Sequence, residues 1–170
     1  MATQRAFWAR PNEDIPELAP GYFHSQSPLR PPRSISLKET LIIGLSTGNR
    51  FAIDPARTIS FMGEEGRVYA TPELVRDIEN CCRNLLLEHL EAGEDSVGIH
   101  IALDHIAATP LGMQVEITAT LAMLEGRRAV FDVTASDQVE KIAVAKHTRF
   151  IVDVDKSIER LKKKIGTHTG

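Results

Sequence analysis

The stretch "TPELVRDIENCCRNLLLEHL", residues 71–90, carries the long helical pattern in the middle of the chain. Residues suited to a core recur along it at steps of three and four, the period of a helix with one buried face: Leu74, Ile78, Cys81, Cys82, Leu85 and His89. Thr71 is a good N-cap, Pro72 suits the first helical position, and "EAGEDS" ends the pattern. The stretch therefore predicts a long helix that buries one stripe against a second layer.

Downstream of this helix the apolar residues change to a period of two, which indicates strands. Four segments have this pattern: "SVGIHIALDHI" (96–106), "MQVEITATLAML" (113–124), "AVFDVTAS" (129–136) and "EKIAVAKHTRFIVD" (140–153). Their short connections favour antiparallel pairing. The last segment, "DVDKSIERLKKKIG" (153–166), has the spacing of an amphipathic helix, and we interpret its lysines as a solvated face.

Upstream of the helix, residues 37–45 indicate a short helix or turn, and residues 50–62 indicate an extended strand interrupted at Asp54 and Pro55. A helix preceded by a strand or two and followed by four antiparallel strands is an α+β arrangement. It is the layout of a hotdog fold, in which a curved antiparallel sheet of about five strands wraps a long central helix. A C-terminal helix completes the predicted domain, residues 35–170.

Residues 1–34 differ from the rest because they hold six of the nine prolines. Such a segment favours extended conformations and cannot form a packed core alone. We predict an N-terminal arm. Two interpretations of it stay open: an arm disordered in isolation, or one laid across the domain or a partner subunit through Trp8, Tyr22 and Phe23.

The composition is that of a globular protein, with 42% hydrophobic and 25% charged residues among 170. A net charge of -3 gives no indication of nucleic acid or of an anionic membrane as partner. The two cysteines, Cys81 and Cys82, are adjacent in the predicted helix, which disfavours a disulfide and is typical of buried thiols in a reducing compartment. The first residues lack the layout of a secretory signal and no apolar run reaches membrane-spanning length, so we expect a cytoplasmic protein.

Glu79 is a misfit in the helix because it lies inside the apolar arc, toward its edge, between Leu86 and Leu90. The other polar residues are expected on the opposite face: Arg76, Asp77, Asn80, Arg83, Asn84 and Glu88. Two interpretations stay open for Glu79. It is either an edge residue that pairs with Arg83, or a partly desolvated acid suited to act as a base or nucleophile.

His105 ends an apolar strand just before the corner "AATPLG", where it is either a core histidine or a catalytic one. A metal site with His100 is not expected, because a spacing of five residues in a strand puts the two rings on opposite faces. The hydroxyl of Thr71 lies at the positive end of the predicted helix, where backbone N–H groups can receive an oxyanion. Arg149 has a bland alternative as a surface residue of its strand.

The segment from Tyr69 to Phe150, with "HIAATPLGM", "EGRR" and "HTRF" in that order, resembles the fluoroacetyl-coenzyme A thioesterase-like hotdog family. The resemblance implies a catalytic group of Thr71, Glu79 and His105. It also implies substrate-binding roles for Gly98, where the thioester approaches the backbone, and for Arg149. It further implies a homodimer, or an oligomer of dimers, in which the helix of one subunit and the strand of the other meet, with Glu79 facing His105.

The implied activity is hydrolysis of a small acyl-coenzyme A (acyl-CoA) thioester. CoA enters as part of the substrate, so no separate cofactor and no metal are expected. Candidates for binding the CoA phosphates are Arg127, Arg128 and Lys146, although "EGRR" is also typical of a solvated turn. The segment "SFMGEEGRVYA" offers only Phe61 and Tyr69 as aromatic gate residues, so selectivity for a fluorinated acyl group is not expected.

Two other functions are possible on the same fold. The first is a noncatalytic module that binds acyl-CoA as a sensor. The second, a hydratase or dehydratase, ranks last because the helix lacks the pairing of Asp and His that this branch uses.

Overall fold

The computed structural model describes residues 40–167, so the predicted N-terminal arm at 1–34 lies outside the described residues. The elements, in chain order, are β1 (Ser46–Ala52), β2 (Thr58–Ile59), β3 (Val68–Tyr69), α1 (Thr71–Leu87), β4 (Glu94–His105), β5 (Gln114–Glu125), β6 (Arg128–Asp137), β7 (Lys141–Asp153) and α2 (Val154–Gly166). The predicted α+β hotdog fold, with its central helix and its C-terminal helix, is confirmed.

Five strands form one antiparallel sheet in the order β1-β5-β6-β7-β4. The strand β4 therefore lies at one edge, with only β7 as a neighbour within the described residues. Its register against β7 shifts between Gly98 and His100, where a bulge interrupts the ladder. The bulge lies directly beside Gly98, whose backbone is close to the side chain of Glu79 on α1.

The helix α1 packs across the inner face of this sheet with five of the six predicted stripe residues turned inward; the sixth, His89, lies beyond the end of the helix and is only partly buried. Its buried residues are Leu74, Asp77, Ile78, Cys81, Cys82, Leu85 and Leu86. Facing them are alternate residues of the central strands, including Val115, Ile117, Ala119, Leu121, Phe131 and Val133. Burial of one such large aliphatic or aromatic side chain contributes about 1.5–3 kcal/mol, so this layer holds the helix firmly against the sheet.

Two details of α1 differ from the sequence predictions. The helix begins at Thr71 with Ala70 as its N-cap, so the prediction of Thr71 as the N-cap was wrong by one residue. Asp77, predicted on the solvated face, is only 8% exposed.

The predicted interruption at Asp54 and Pro55 is confirmed, as a short 3-10 turn at Pro55–Arg57.

The C-terminal helix α2 follows β7 directly and is capped by Asp153, whose side chain accepts a hydrogen bond from the backbone N–H of Lys156. No residue of α2 is buried in this chain. Within residues 40–167, no helix is both long and apolar enough to span a membrane.

Candidate active site

The first pair of candidate site residues lies where α1 begins and β4 ends. The hydroxyl oxygen of Thr71 is 3.0 Å from Nδ1 of His105. Thr71 can make this contact because Ala70, and not Thr71, is the cap residue, which leaves the hydroxyl free to face the strand. The two predicted site residues are thus in direct contact.

The other ring nitrogen of His105, Nε2, is buried and has no hydrogen-bond partner among the described residues. An unsatisfied buried polar atom costs about 1–3 kcal/mol, so a group from outside this chain would be stabilised there. Burial lowers the pKa of His105, opposed in part by a backbone hydrogen bond at Ala107. The imidazole is therefore neutral at pH 7 and able to accept a proton.

A buried network supports His105 from behind. The ring of Tyr69 contacts the ring of His105 edge to face, with centroids 6.2 Å apart. The Tyr69 hydroxyl donates to Asp77 at 2.8 Å, and Nε of Arg57 donates to the same oxygen at 2.9 Å. Burial, followed by the hydrogen bond to Asp77, raises the pKa of Tyr69, which keeps the phenol protonated as a donor.

Sequence analysis missed this network because it assigned Asp77 to the solvated face. The spacing did contain a signal, since Asp77 and Cys81 are four residues apart and therefore neighbours on the helix surface. An acid beside the core stripe needs a buried partner, and Arg57 supplies one.

The third candidate residue, Glu79, lies two helical turns further along α1, and 44% of its side chain is exposed. Its carboxylate lies against the backbone of Gly98 on β4. A Cβ atom at Gly98 would clash with Oε1 of Glu79 and would lie 3.2 Å from its Cδ. The glycine therefore makes room for the carboxylate. The alternative pairing of Glu79 with Arg83 is wrong, because Arg83 instead binds Asp95 at 2.5 Å.

Arg149 lies beneath Glu79 and is only 3% exposed, so its alternative as a surface residue of the strand is wrong. Its Nε donates to the hydroxyl of Ser96 at 2.9 Å, and Nη2 donates to the Ser96 carbonyl at 2.6 Å. Its Nη1 donates to the carbonyl of Glu79 and to Nε2 of His147, both at 3.2 Å. Burial lowers the pKa of Arg149, while the charge of Glu79 favours the protonated guanidinium.

His147 was not singled out by sequence analysis, yet it is fully buried and touches both Glu79 and Arg149. Its Nδ1 donates to the carbonyl of His100 at 2.9 Å, and its Nε2 lies 4.0 Å from Oε1 of Glu79. Burial is the largest cause that lowers the pKa of His147. The motif "HTR" was the available signal, because alternate residues of a strand share a face and His147 accompanies Arg149 inward.

Comparison with known proteins identifies the family. Residues 53–155 match the family described as fluoroacetyl-CoA-specific thioesterase. A fluoroacetyl-CoA thioesterase from Streptantibioticus cattleyicolor is 31% identical over 135 residues, which covers 75% of this chain and 97% of that protein. The chain belongs to this thioesterase family.

Solved structures of fluoroacetyl-CoA-specific thioesterase agree with this fold. A crystal structure of one variant is 31% identical with a TM-score of 0.69 and covers 75% of this chain and 99% of that chain. A variant in complex with fluoroacetate and CoA is 32% identical with a TM-score of 0.64, covering 68% of this chain and 98% of that one. A thioesterase superfamily member from Thermus thermophilus is 26% identical with a TM-score of 0.69, covering 77% and 97%.

The two groups of candidate site residues are far apart within one chain of this thioesterase. Thr71 and Glu79 are separated by eight residues of α1, which is about 12 Å along a helix. Along β4, seven residues separate His105 from Gly98, where Glu79 is held, which is about 20 Å of strand. The structure therefore brings Thr71 to His105 and Glu79 to Gly98 and Arg149, as two separate half-sites.

The predicted phosphate-binding residues all have acidic neighbours in this thioesterase chain. Lys146 pairs with Asp132 at 2.6 Å, Arg127 lies 3.7 Å from Glu94, and Arg128 lies 3.9 Å from Glu125. Of the two aromatic candidates, Phe61 is exposed and Tyr69 is buried in the network behind His105. Within residues 40–167, no group of three His, Cys, Asp or Glu side chains is arranged to hold a metal ion.

Proposed function

We propose that this thioesterase hydrolyses a small acyl-CoA thioester at a site shared between two subunits. Thr71 and His105 of one subunit would act with Glu79 of its partner. The observation that carries the proposal is that the buried Nε2 of His105 has no hydrogen-bond partner among residues 40–167. Substrate and a partner's carboxylate are groups that fit this position chemically.

The edge strand β4 supports the shared site because it has one side free for pairing and exposes the apolar side chains of Val97 and Ile99. Two β4 strands related by a twofold axis near Ala102 would pair antiparallel with their pleats in phase. The His105 end of one β4 strand would then lie beside the bulge between Gly98 and His100 of the partner subunit's β4 strand. The Glu79 held beside the bulge would reach the Thr71–His105 pair across the interface.

The proposed mechanism begins with the thioester carbonyl at the start of α1. Backbone N–H groups there and at Gly98 of the partner subunit would polarise the carbonyl oxygen, a type of contact worth about 100- to 1,000-fold in rate per donor. Pro72 has no N–H, and no side chain caps the first turn of α1 within residues 40–167, so the helix end is open to a ligand. Thr71 would orient His105 through the 3.0 Å contact.

Glu79 would act in one of two ways. As a nucleophile, its carboxylate oxygen bonds to the acyl carbon while the C–S bond breaks, and water then hydrolyses the mixed anhydride to release the carboxylic acid. As a general base, it removes one proton from water while the water oxygen bonds to the acyl carbon, and the C–S bond then breaks to release the thiolate. In either route the thiolate of CoA takes up a proton, which His105 would deliver after accepting it from water.

Hydrolysis of acyl-CoA esters tests this proposal. We expect the wild type to release CoA from at least one ester in a panel of short, branched and aromatic acyl-CoA compounds. Glu79→Gln and His105→Ala should lose at least about 100-fold in kcat and still bind acyl-CoA, since each removes a reacting group. Asp104→Asn, beside His105 on β4, is the matched control and should retain activity.

The outcomes separate the candidate functions. Binding without hydrolysis by the wild type would favour the noncatalytic sensor and refute the enzyme proposal. Single turnover in 18O-labelled water separates the two routes, because only the nucleophilic route places 18O in the Glu79 carboxylate. Arg127, Arg128 and Lys146 stay candidates for binding the CoA phosphates. We further propose that no separate cofactor takes part and that the enzyme is cytoplasmic, as the free thiols of Cys81 and Cys82 support.

A further inference from the structure

We propose that His147 is a positioning residue of the thioesterase reaction, which fixes Arg149 and through it the carboxylate of Glu79. The inference rests on the proposed function, because it assumes that Glu79 takes part in hydrolysis. It gives Arg149 a role beneath Glu79 in place of the substrate contact that the family resemblance implies. We call Gly98, His147 and Arg149 the glutamate socket.

The hydrogen bonds of His147 determine its tautomer. The carbonyl of His100 can only accept, so Nδ1 of His147 carries a proton and donates it at 2.9 Å. Arg149 can only donate, so Nε2 of His147 must offer a lone pair to Nη1 at 3.2 Å. Both hydrogen bonds together require the neutral ring. Burial also lowers the pKa of His147, which favours the same neutral form.

The guanidinium of Arg149 is held on three sides. Four of its five N–H groups donate, two of them to Ser96 on β4, one to the Glu79 carbonyl on α1, and one to His147 on β7. Its position is therefore set relative to all three elements that border Glu79. Among the charges that act on Arg149, Glu79 has the largest effect, although no hydrogen bond joins the guanidinium to the Glu79 carboxylate in this chain.

The socket explains how a half-exposed glutamate keeps one position. Oε1 of Glu79 lies 4.0 Å from Nε2 of His147, and the Cε1 of the same ring would be 3.1 Å from a Cβ at Gly98. The imidazole thus forms one wall of the space that Glu79 fills, and the Gly98 backbone forms another. If Nε2 of His147 no longer offered a lone pair, one N–H of Arg149 would lose its acceptor. The Arg149 guanidinium could then donate to the Glu79 carboxylate and move it away from its present position.

Two substitutions at His147 separate this role from a purely structural one. In His147→Asn the side-chain amide overlays Nδ1 and keeps the donor to His100, but no acceptor reaches Arg149. In His147→Gln an acceptor reaches the position of Nε2, although the bond to His100 is lost. We expect kcat to fall about 10- to 100-fold in the Asn variant, less than about fivefold in the Gln variant, and KM to stay within about twofold in both.

The control is Ile117→Val on β5, which β6 separates from β7. This buried change lowers stability without touching the glutamate socket, so its melting temperature calibrates what lost stability alone does to kcat. Losses of kcat that follow the melting temperature across all three variants would overturn the proposal. If the Asn variant does not fold, the Gln variant decides, because a loss of 100-fold there would also overturn it.

A double-mutant cycle with Glu79→Gln completes the test on the best acyl-CoA substrate of the wild type. A residue that acts through Glu79 should have no effect once that carboxylate is gone, so His147→Asn should change the residual activity of Glu79→Gln by less than about twofold. A further loss equal to that seen in the wild type would overturn the inference while the function stands. Full turnover by Glu79→Gln itself would instead refute the proposed mechanism, and this inference with it.

Discussion

A methyl group added at Gly98 should displace Glu79 without disturbing the fold. In Gly98→Ala the new Cβ would clash with Oε1 of Glu79 and would lie 3.2 Å from Cδ, where carbon atoms normally stay about 3.5–4.0 Å apart. The carboxylate must therefore move by up to about 1 Å. A displacement of that size in a reacting group costs roughly 100-fold in rate, so we expect kcat to fall about 100-fold.

The same substitution should have little effect on stability. Gly98 has no left-handed backbone conformation that an alanine would strain, and the main clash is with the end of a half-exposed side chain that can swing aside. The new Cβ would also lie 3.1 Å from Cε1 of the buried His147 ring, which would need to shift by a few tenths of an ångström. Alanine is also less costly than glycine to order in a strand, by about 0.5–1 kcal/mol. The melting temperature should change by no more than a few degrees.

Steady-state hydrolysis of acyl-CoA measures the effect, with Gly48→Ala on β1 as the matched control. A Cβ at Gly48 would lie 3.6 Å from Oε1 of Glu116, an ordinary contact, so kcat should match the wild type. If Gly98→Ala keeps kcat within about threefold, the placement of Glu79 against Gly98 does not matter for the reaction and the reasoning is refuted. A rise in KM with an unchanged kcat would mean that Gly98 makes room for the thioester to bind and not for the Glu79 carboxylate.

The remaining predictions concern stability and assembly. Asp77→Ala should lower unfolding free energy by about 2–3 kcal/mol, seen as a melting temperature about 5–10 °C lower, because Arg57 and Tyr69 lose their buried acceptor. An unchanged melting temperature would contradict this. The folded-state pKa values of His105 and His147 are lowered, so stability should be intact above pH 6.5 and fall on acidification below it; His147→Gln should flatten that dependence in thermal melts. Ile99→Lys on the β4 edge should yield inactive monomers by light scattering, and an active monomer would refute the shared site.

The fold could be predicted from sequence because its periodicities are strong and mutually consistent. The three- and four-residue steps of α1 and the alternation in β4–β7 each require one buried face, and a single arrangement satisfies both. Glu79 and His105 stand out in the sequence as polar residues within apolar patterns, whereas a catalytic role for Thr71 follows from its place at the helix start and from the family resemblance.

The contacts around these residues could not be predicted in the same way. Arg57, Asp77 and Tyr69 meet only because a 3-10 turn, a helix and a short strand converge, and no period in the sequence encodes that convergence. The wrong prediction of Thr71 as the N-cap has a similar cause, because its hydroxyl contacts His105, which is 34 residues away in the sequence. Alternation places His147 and Arg149 on one face of β7, but it does not reveal their contacts with His100 and Ser96 on β4 or with Glu79 on α1.

The most direct test of the shared site is subunit complementation. Glu79→Gln and His105→Ala are each prepared as inactive proteins, mixed in equal amounts, dissociated and reassembled. If Glu79 of one chain acts with His105 of the other, half of the randomly reassembled dimers regain one of their two sites, and about a quarter of wild-type activity returns. If each site lies within one chain, every chain in the mixture lacks an essential group, and no activity returns.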